Sequence, residues 1–214
     1  VCHPGSEDRW HVGADRHRQH RRPVGPERDG QRLAELTDDD LRQMMDEDLI
    51  RAHRERALAR DRGVEVYAET CPQYLTLNEE RYEEPNWQGA KYVMSPPLRP
   101  KDSSDELWLG LKYGDVQTIG TDHCPFDFKG QKDMFGKDDY KKIPNGAPGI
   151  ETMLMLMHSE GVVKGRISLE QMVAALSTNT AKLFGLAEKG EVAVGKDADL
   201  VIFDPKQKFK VSQG

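Results

Sequence analysis

The run Val116-Gln-Thr-Ile-Gly-Thr-Asp-His-Cys-Pro-Phe126 reads as a short apolar strand that ends abruptly on polar chemistry. Val116, Thr118 and Ile119 favour an extended chain, and Pro125 stops it. Just upstream, Ser103 to Tyr113 carries Leu107, Trp108 and Leu111 on one helical face, and Gly114-Asp115 turns that helix into the strand. The same alternation extends in both directions. Val64-Glu-Val-Tyr-Ala-Glu-Thr70 follows Gly63 and reads as a strand, and Lys91-Tyr-Val-Met-Ser95 reads as another, closed by Pro96-Pro97. Downstream, residues 126–149 show no period and form a long loop. Glu151 to Gly161 is a Met/Leu-rich helix. Ser168 to Leu176 is a second, with Ser168 as N-cap and Gln171 completing a capping box. Thr178 to Leu186 is a third. Gly190 to Gly195 and Ala198 to Phe203 read as two strands joined by a Gly-Lys-Asp turn. Strands alternating with helices from 64 to 186 predict an α/β fold with a parallel sheet and outer helices. The closing strand pair predicts part of a separate small β unit.

Composition breaks near residue 62. Residues 1–62 hold 13 Arg and no Lys, whereas residues 63–214 hold 15 Lys and 3 Arg. Residues 1–32 are rich in Arg, His, Pro and Gly with little to bury, so they read as disordered or abnormal. An out-of-frame translation joined to a real domain is the competing reading of that stretch. His17 and His20, with His3 and His11 upstream, invite a metal reading, but no HExxH-like pattern supports it. Residues 33–62 read as helical: Thr37 with Asp38, Asp39 and Asp40 suits a helix start, and Gly63 suits its stop. The expected divisions are therefore 1–32, 33–62, 63–186 and 187–214.

The whole chain has 214 residues, 31 Lys+Arg against 37 Asp+Glu, and a formal charge of -6. That mildly acidic balance argues against nucleic acid as a partner. No run approaches the roughly 18 apolar residues of a membrane span, and no secretory signal is visible. Cys2, Cys71 and Cys124 are odd in number and far apart, which suits reduced thiols and the cytoplasm.

In a βα-barrel, functional groups gather where strands end. Three such places stand out. Asp122 and His123 end the 116–121 strand; an Asp there can ligate a metal or act as a general base, or it can cap the next turn with His123 paired to it. Met94-Ser-Pro-Pro-Leu-Arg99 offers a rigid corner that can present carbonyls to a ligand, or serves as a plain strand-to-loop corner. Ile143-Pro-Asn-Gly-Ala-Pro-Gly149 is a turn-rich loop whose backbone can approach a small molecule, or an ordinary surface turn. Cys71 and Cys124 lack a legible Cys/His/acid set and read as structural thiols. Met153, Met155 and Met157 read as core. A phosphate-cradling GxxxxGK[ST] loop and CxxC pairs are absent.

Taken together and in order, Glu69-Thr-Cys-Pro-Gln-Tyr-Leu75, Lys91-Tyr-Val-Met-Ser-Pro-Pro-Leu-Arg99, Gly120-Thr-Asp-His-Cys-Pro-Phe126 and Lys142-Ile-Pro-Asn-Gly-Ala-Pro-Gly149 resemble the dihydropyrimidinase/D-hydantoinase family of cyclic amidohydrolases. The tail Gly190 to Pro205 resembles the strand pair of that family's small β domain. The likeness covers about residues 56–214. It implies the C-terminal part of a TIM-like (β/α)8 barrel plus part of a small β domain. It also implies hydrolysis of dihydropyrimidines or hydantoins at a centre of two divalent metal ions, zinc in the usual case. By motif, Asp122 is the metal ligand and proton shuttle. Ser95 and Asn145 hold the substrate's amide and imide groups, and His123 lies on the substrate side. Full-length family members are commonly homotetramers; an incomplete barrel argues against that assembly for this chain.

Other features of the family cannot be placed here: an early His-x-His, a carboxylated Lys and two middle-strand His. With a barrel needing about 250 residues, the chain reads as a C-terminal fragment, truncated at both ends and catalytically inactive alone. The remaining alternatives are an allantoinase- or dihydroorotase-like hydrolase, and a non-catalytic dihydropyrimidinase-related interaction protein. Retention of Asp122 argues against the last.

Overall fold

The computed structural model describes residues 58–59 and 62–208. The chain divides into two units, Val1–Glu65 and Val66–Gly214. In the first, Leu58 and Ala59 are helical, and the amides of Arg62 and Val64 return to the Ala59 carbonyl at 3.1 and 3.0 Å. The expectations of a disordered 1–32 and of a helix start at Thr37 lie outside the described residues.

The second unit is built on two parallel strands, β1 (Glu69–Thr70) and β2 (Thr118–Ile119), in register Glu69↔Thr118 and Thr70↔Ile119. The parallel pairing and the intervening helix match the expected βα alternation. The ladder is much shorter than the expected strands: the amides of Gln117 and Gly120 donate across it to the Ala68 and Thr70 carbonyls, both at 2.9 Å, and no strand pairing extends beyond them. The Ala68 amide donates to Gln117 Oε1 at 2.7 Å, and Tyr67 is half exposed.

After β1, the short helix α1 (Pro72–Thr76) opens with proline at its first position, where no backbone donor is required. Single 3₁₀ turns follow at Glu79–Glu83 and Gln88–Tyr92. Helix α2 (Lys101–Tyr113) buries Ser104, Trp108 and Leu111 on one side and ends at Gly114, whose φ of +78° lies in the left-handed region that favours glycine. α3 (Met153–Leu156) runs on into a π-helical stretch, Met157–Val163. α4 (Leu169–Val173) does the same through Ala174–Thr178 into α5 (Asn179–Leu183). The expected capping box forms at the start of α4. Ser168 Oγ accepts from the Gln171 amide at 3.2 Å, and Gln171 Oε1 accepts from the Ser168 amide at 2.8 Å. Gln171 also donates to the Lys112 carbonyl at 2.7 Å, tying α4 to the end of α2.

Leu75, Trp108, Leu111, Val116, Ile119, Met157, Ile167, Met172 and Ala175 form one buried cluster between strands and helices. Its polar atoms are satisfied: the Leu75 carbonyl accepts from Ser104 Oγ at 2.8 Å and from Trp108 Nε1 at 2.9 Å. Gly161 sits so close to Trp108 that a Cβ there would lie 2.9 Å from the indole, so the π-helical stretch can pack flat on it.

Two expected strand regions differ. Residues 91–95 join no sheet. The Lys91 and Val93 carbonyls are taken by Lys132 and Gly146, and Pro96-Pro97 supply no donors. Residues 190–203 keep the expected turn at Gly195 but form no ladder. Val194 and Ile202 are fully exposed, and an extended segment becomes a strand only when a neighbour exchanges hydrogen bonds with it. Lys189 pins this tail by ion pairs to Asp197 and Asp199, which raise its pKa.

Candidate active site

The chain leaves β2 at Gly120 and reaches Asp122, an exposed residue with φ of +47°. A left-handed backbone is unusual for a residue with a Cβ, and Asp tolerates it better than most. Such strain at a strand end is a common feature of functional positions. His123 then forms a parallel bridge with Ala147, and the Cys124 amide donates to the Ala147 carbonyl at 3.0 Å. The Asn145 loop is thereby laid directly along the Asp122 strand end.

That loop is stitched in three places. The Gly146 amide donates to the Val93 carbonyl at 3.0 Å, joining the loop to the segment that leads into Ser95 and its cis peptide with Pro96. The Ala147 carbonyl holds Cys124. The amides of Gly149 and Ile150 donate to His123 Nδ1 at 3.1 and 3.4 Å. His123 is therefore a loop latch with an acceptor Nδ1, and its Nε2 is the nitrogen that can face a ligand. Gly146 has no alternative at its position. With φ of +128°, an added Cβ would sit 2.4 Å from Cys124 Cβ. Ser95, Asp122, His123 and Asn145 are all exposed, and these hydrogen bonds bring their segments to one edge of the molecule.

The Glu69–Tyr74 motif supplies tethers rather than a nucleophile, a role that residue type alone does not reveal. From α1, Gln73 Nε2 donates to the Thr121 carbonyl at 3.4 Å, beside Asp122, and Tyr74 Oη donates to the Pro96 carbonyl at 2.9 Å, beside Ser95. One helical turn thus grips both corners. Burial pushes the Tyr74 hydroxyl up to about 12, with Cys71 and Asp122 adding to the shift, so it stays a donor. Burial pushes the Cys71 thiol up to about 11, again with help from Asp122 and then Glu69. An ordinary thiol near 9 is about one-tenth ionised at pH 8; Cys71 is ionised about one part in a thousand. Alkylation of Cys71 by iodoacetamide at pH 8, followed by mass spectrometry, is expected to run about a hundredfold slower than that of an unperturbed cysteine. The rate should climb with pH until about 11. Labelling that levels off near 9 would show a thiol open to water.

Among the described residues, no group of three or more His, Cys, Asp or Glu side chains could hold a metal ion. By themselves they do not fit a two-metal centre, since a zinc site takes three or four protein ligands. A separate cavity of about 290 Å³, lined by Thr76, Asn78, Glu80, Arg81 and Glu84, contains none of the corner residues.

Parallel strands whose polar groups emerge at their C-terminal ends, beside helix-borne tethers, define part of a βα-barrel site. The amidohydrolase family model matches residues 48–213, and the chain belongs to that family. The D-hydantoinase of Geobacillus stearothermophilus is 58% identical over 150 residues, which is 70% of this chain and 32% of that protein. The structure is similar to D-hydantoinase from Bacillus sp. AR9 (TM-score 0.66, 54% identity, 69% of this chain and 32% of that one). It is similar also to dihydropyrimidinase from Brevibacillus agri NCHU1002 (TM-score 0.65, 55% identity, again 69% and 32%). The chain therefore spans about a third of the length of the relatives it matches. Its fold is the corresponding part of the TIM-type barrel of those enzymes. No described helix is long and apolar enough to cross a membrane.

Proposed function

We propose that the polypeptide carrying these residues hydrolyses the C–N bond of a cyclic amide, a dihydropyrimidine or a 5-substituted hydantoin, in the cytoplasm. The observation that carries this reading is the placement of the Asp122 carboxylate. It is exposed just past β2, in a left-handed conformation, on a strand end bonded to the Asn145 loop, which is in turn bonded to the segment entering Ser95. Family membership and the hydantoinase and dihydropyrimidinase relatives support the same chemistry.

The residues divide the work as follows. Ser95 and Asn145, on backbones fixed by Tyr74 and by the Gly146–Val93 bond, grip the amide and imide edge of the ring. Asp122 accepts the proton of the attacking water as its oxygen bonds to the ring carbonyl carbon. When the tetrahedral centre collapses and the C–N bond breaks, Asp122 returns that proton to the leaving nitrogen. His123 lines the substrate side through Nε2 while Nδ1 holds the loop. Divalent metals, with zinc the expected ion, belong to this reading as the family's cofactor, and Asp122 is the ligand that these residues supply.

The test is a substrate panel of dihydrouracil, a 5-substituted hydantoin, allantoin and dihydroorotate. It is run with zinc on the longest natural polypeptide containing these residues, and in parallel on the 214-residue chain. Ring opening of the first two by the longer protein, and none by the chain alone, is the expected result. Preference for allantoin or dihydroorotate would move the substrate assignment, and no ring opening of any kind would point to an interaction protein on this scaffold.

A further inference from the structure

Lys132 is the most deeply buried ionisable residue described, 1% exposed, and among the described residues its ammonium pairs with no carboxylate. Nζ donates instead to two backbone carbonyls, that of Lys91 at 3.1 Å and that of Val93 at 2.9 Å. Burial pulls its pKa down to about 8, a shift that Cys124 only partly opposes. A Met in this slot would fill the same space without desolvating a charge, so packing alone does not account for a lysine. Its acceptors do. The Val93 carbonyl uses both lone pairs, one for Lys132 Nζ and one for the Gly146 amide at 3.0 Å. That single oxygen is where the segment entering Ser95 meets the loop carrying Asn145. A second contact fixes the partners in the same arrangement: Lys91 Nζ lies 4.9 Å over the Phe128 ring, at the start of the turn that delivers Lys132.

We propose that Lys132 is a positioning residue for substrate: by holding the Lys91 and Val93 carbonyls it sets the spacing between the Ser95 corner and the Asn145 loop, the two elements that grip the ring. The inference rests on the hydrolase reading for its substrate half, and on geometry alone for its structural half. Lys132 touches no reacting atom and acts through Val93.

The experiment compares Lys132→Met and Lys132→Gln with the parent. Amide hydrogen exchange is measured on the 214-residue chain, and the KM and kcat of ring opening on the longest natural polypeptide. Lys132→Met is expected to speed exchange at Gly146 about tenfold while the amides of Ile119 and Trp108 keep their protection. Lys132→Gln, which can still donate to one carbonyl, should fall between the two. In the kinetic arm, KM should rise about tenfold with kcat within about threefold. Unchanged exchange at Gly146, equal loosening throughout the core, or failure of both variants to fold would make Lys132 a plain stability element and overturn the inference. Absence of ring opening by the parent itself would sink the hydrolase reading. The two failures appear in different measurements.

Discussion

Replacing Trp108 with alanine is expected to cost about 3–5 kcal/mol and to lower the melting temperature by roughly 6–20 °C. The indole is 3% exposed at the centre of the buried cluster, where α2, α1 and the Met157–Val163 stretch converge. Removing it opens a cavity that rigid neighbours cannot close, since Gly161 offers no side chain to fill it. It also removes one of the two donors on the buried Leu75 carbonyl and leaves Ser104 alone there. The Arg166 guanidinium, 5.3 Å over the ring, loses that contact as well and is left with its ion pair to Glu160. Single domains are stable by only about 5–15 kcal/mol, so this one change consumes much of the margin. Leu109→Ala serves as the control. It lies one residue further along α2 but is half exposed, and should shift stability by less than about 0.5 kcal/mol. Thermal melting of the two variants side by side makes the comparison, and a Trp108→Ala chain that melts with the parent would place the hydrophobic centre elsewhere.

That helix is the most legible part of the sequence, and the reason is local. Leu107, Trp108 and Leu111 recur at helical spacing, and Gly114 stops the helix by its own backbone preference, so no distant partner is needed to read either. The Ser168–Gln171 capping box is local too, and forms as its spacing requires. Strands are different, because whether an extended run becomes one depends on what lies beside it. Lys91 to Ser95 and the 190–203 tail have the residues of strands. The first spends its carbonyls on a lysine and a loop amide, and the second touches its surroundings through Thr178 and His158 but exchanges no ladder hydrogen bonds among the described residues. The same limit applies to the site. Asp122, Ser95 and Asn145 could be singled out because each sits on punctuation that proline and glycine make visible. Gln73, Tyr74 and Lys132 could not, since their roles consist of reaching carbonyls more than 20 residues away. Nothing in Phe128-Lys-Gly-Gln-Lys132 distinguishes the buried lysine from the exposed Lys129 three positions before it.

Asp122→Asn is expected to lower kcat of ring opening by about 10²–10⁴-fold in the protein that carries it, with melting unchanged. The amide has the same shape and, like Asp, tolerates a left-handed backbone, so φ of +47° adds no strain to the variant. What disappears is a carboxylate that can accept a proton from water and return it to nitrogen, and with it the anionic metal ligand proposed for this position. The Gly146–Val93, Cys124–Ala147 and Tyr74–Pro96 bonds do not involve the Asp122 side chain, so the two corners proposed to grip the ring should stay in place and KM should move little. Asp122→Ala would lose the carboxylate too but adds backbone strain of roughly 1–2 kcal/mol. A fall in stability in the alanine variant and not in the asparagine variant would therefore separate conformation from chemistry. Asp122→Glu tests distance: it keeps the acid but moves it by one methylene, and a misplacement of about 1 Å can cost about a hundredfold. If Asp122→Asn keeps activity within about threefold of the parent, the proton is carried by some other group, and the exposed carboxylate at the end of β2 has no part in breaking the ring.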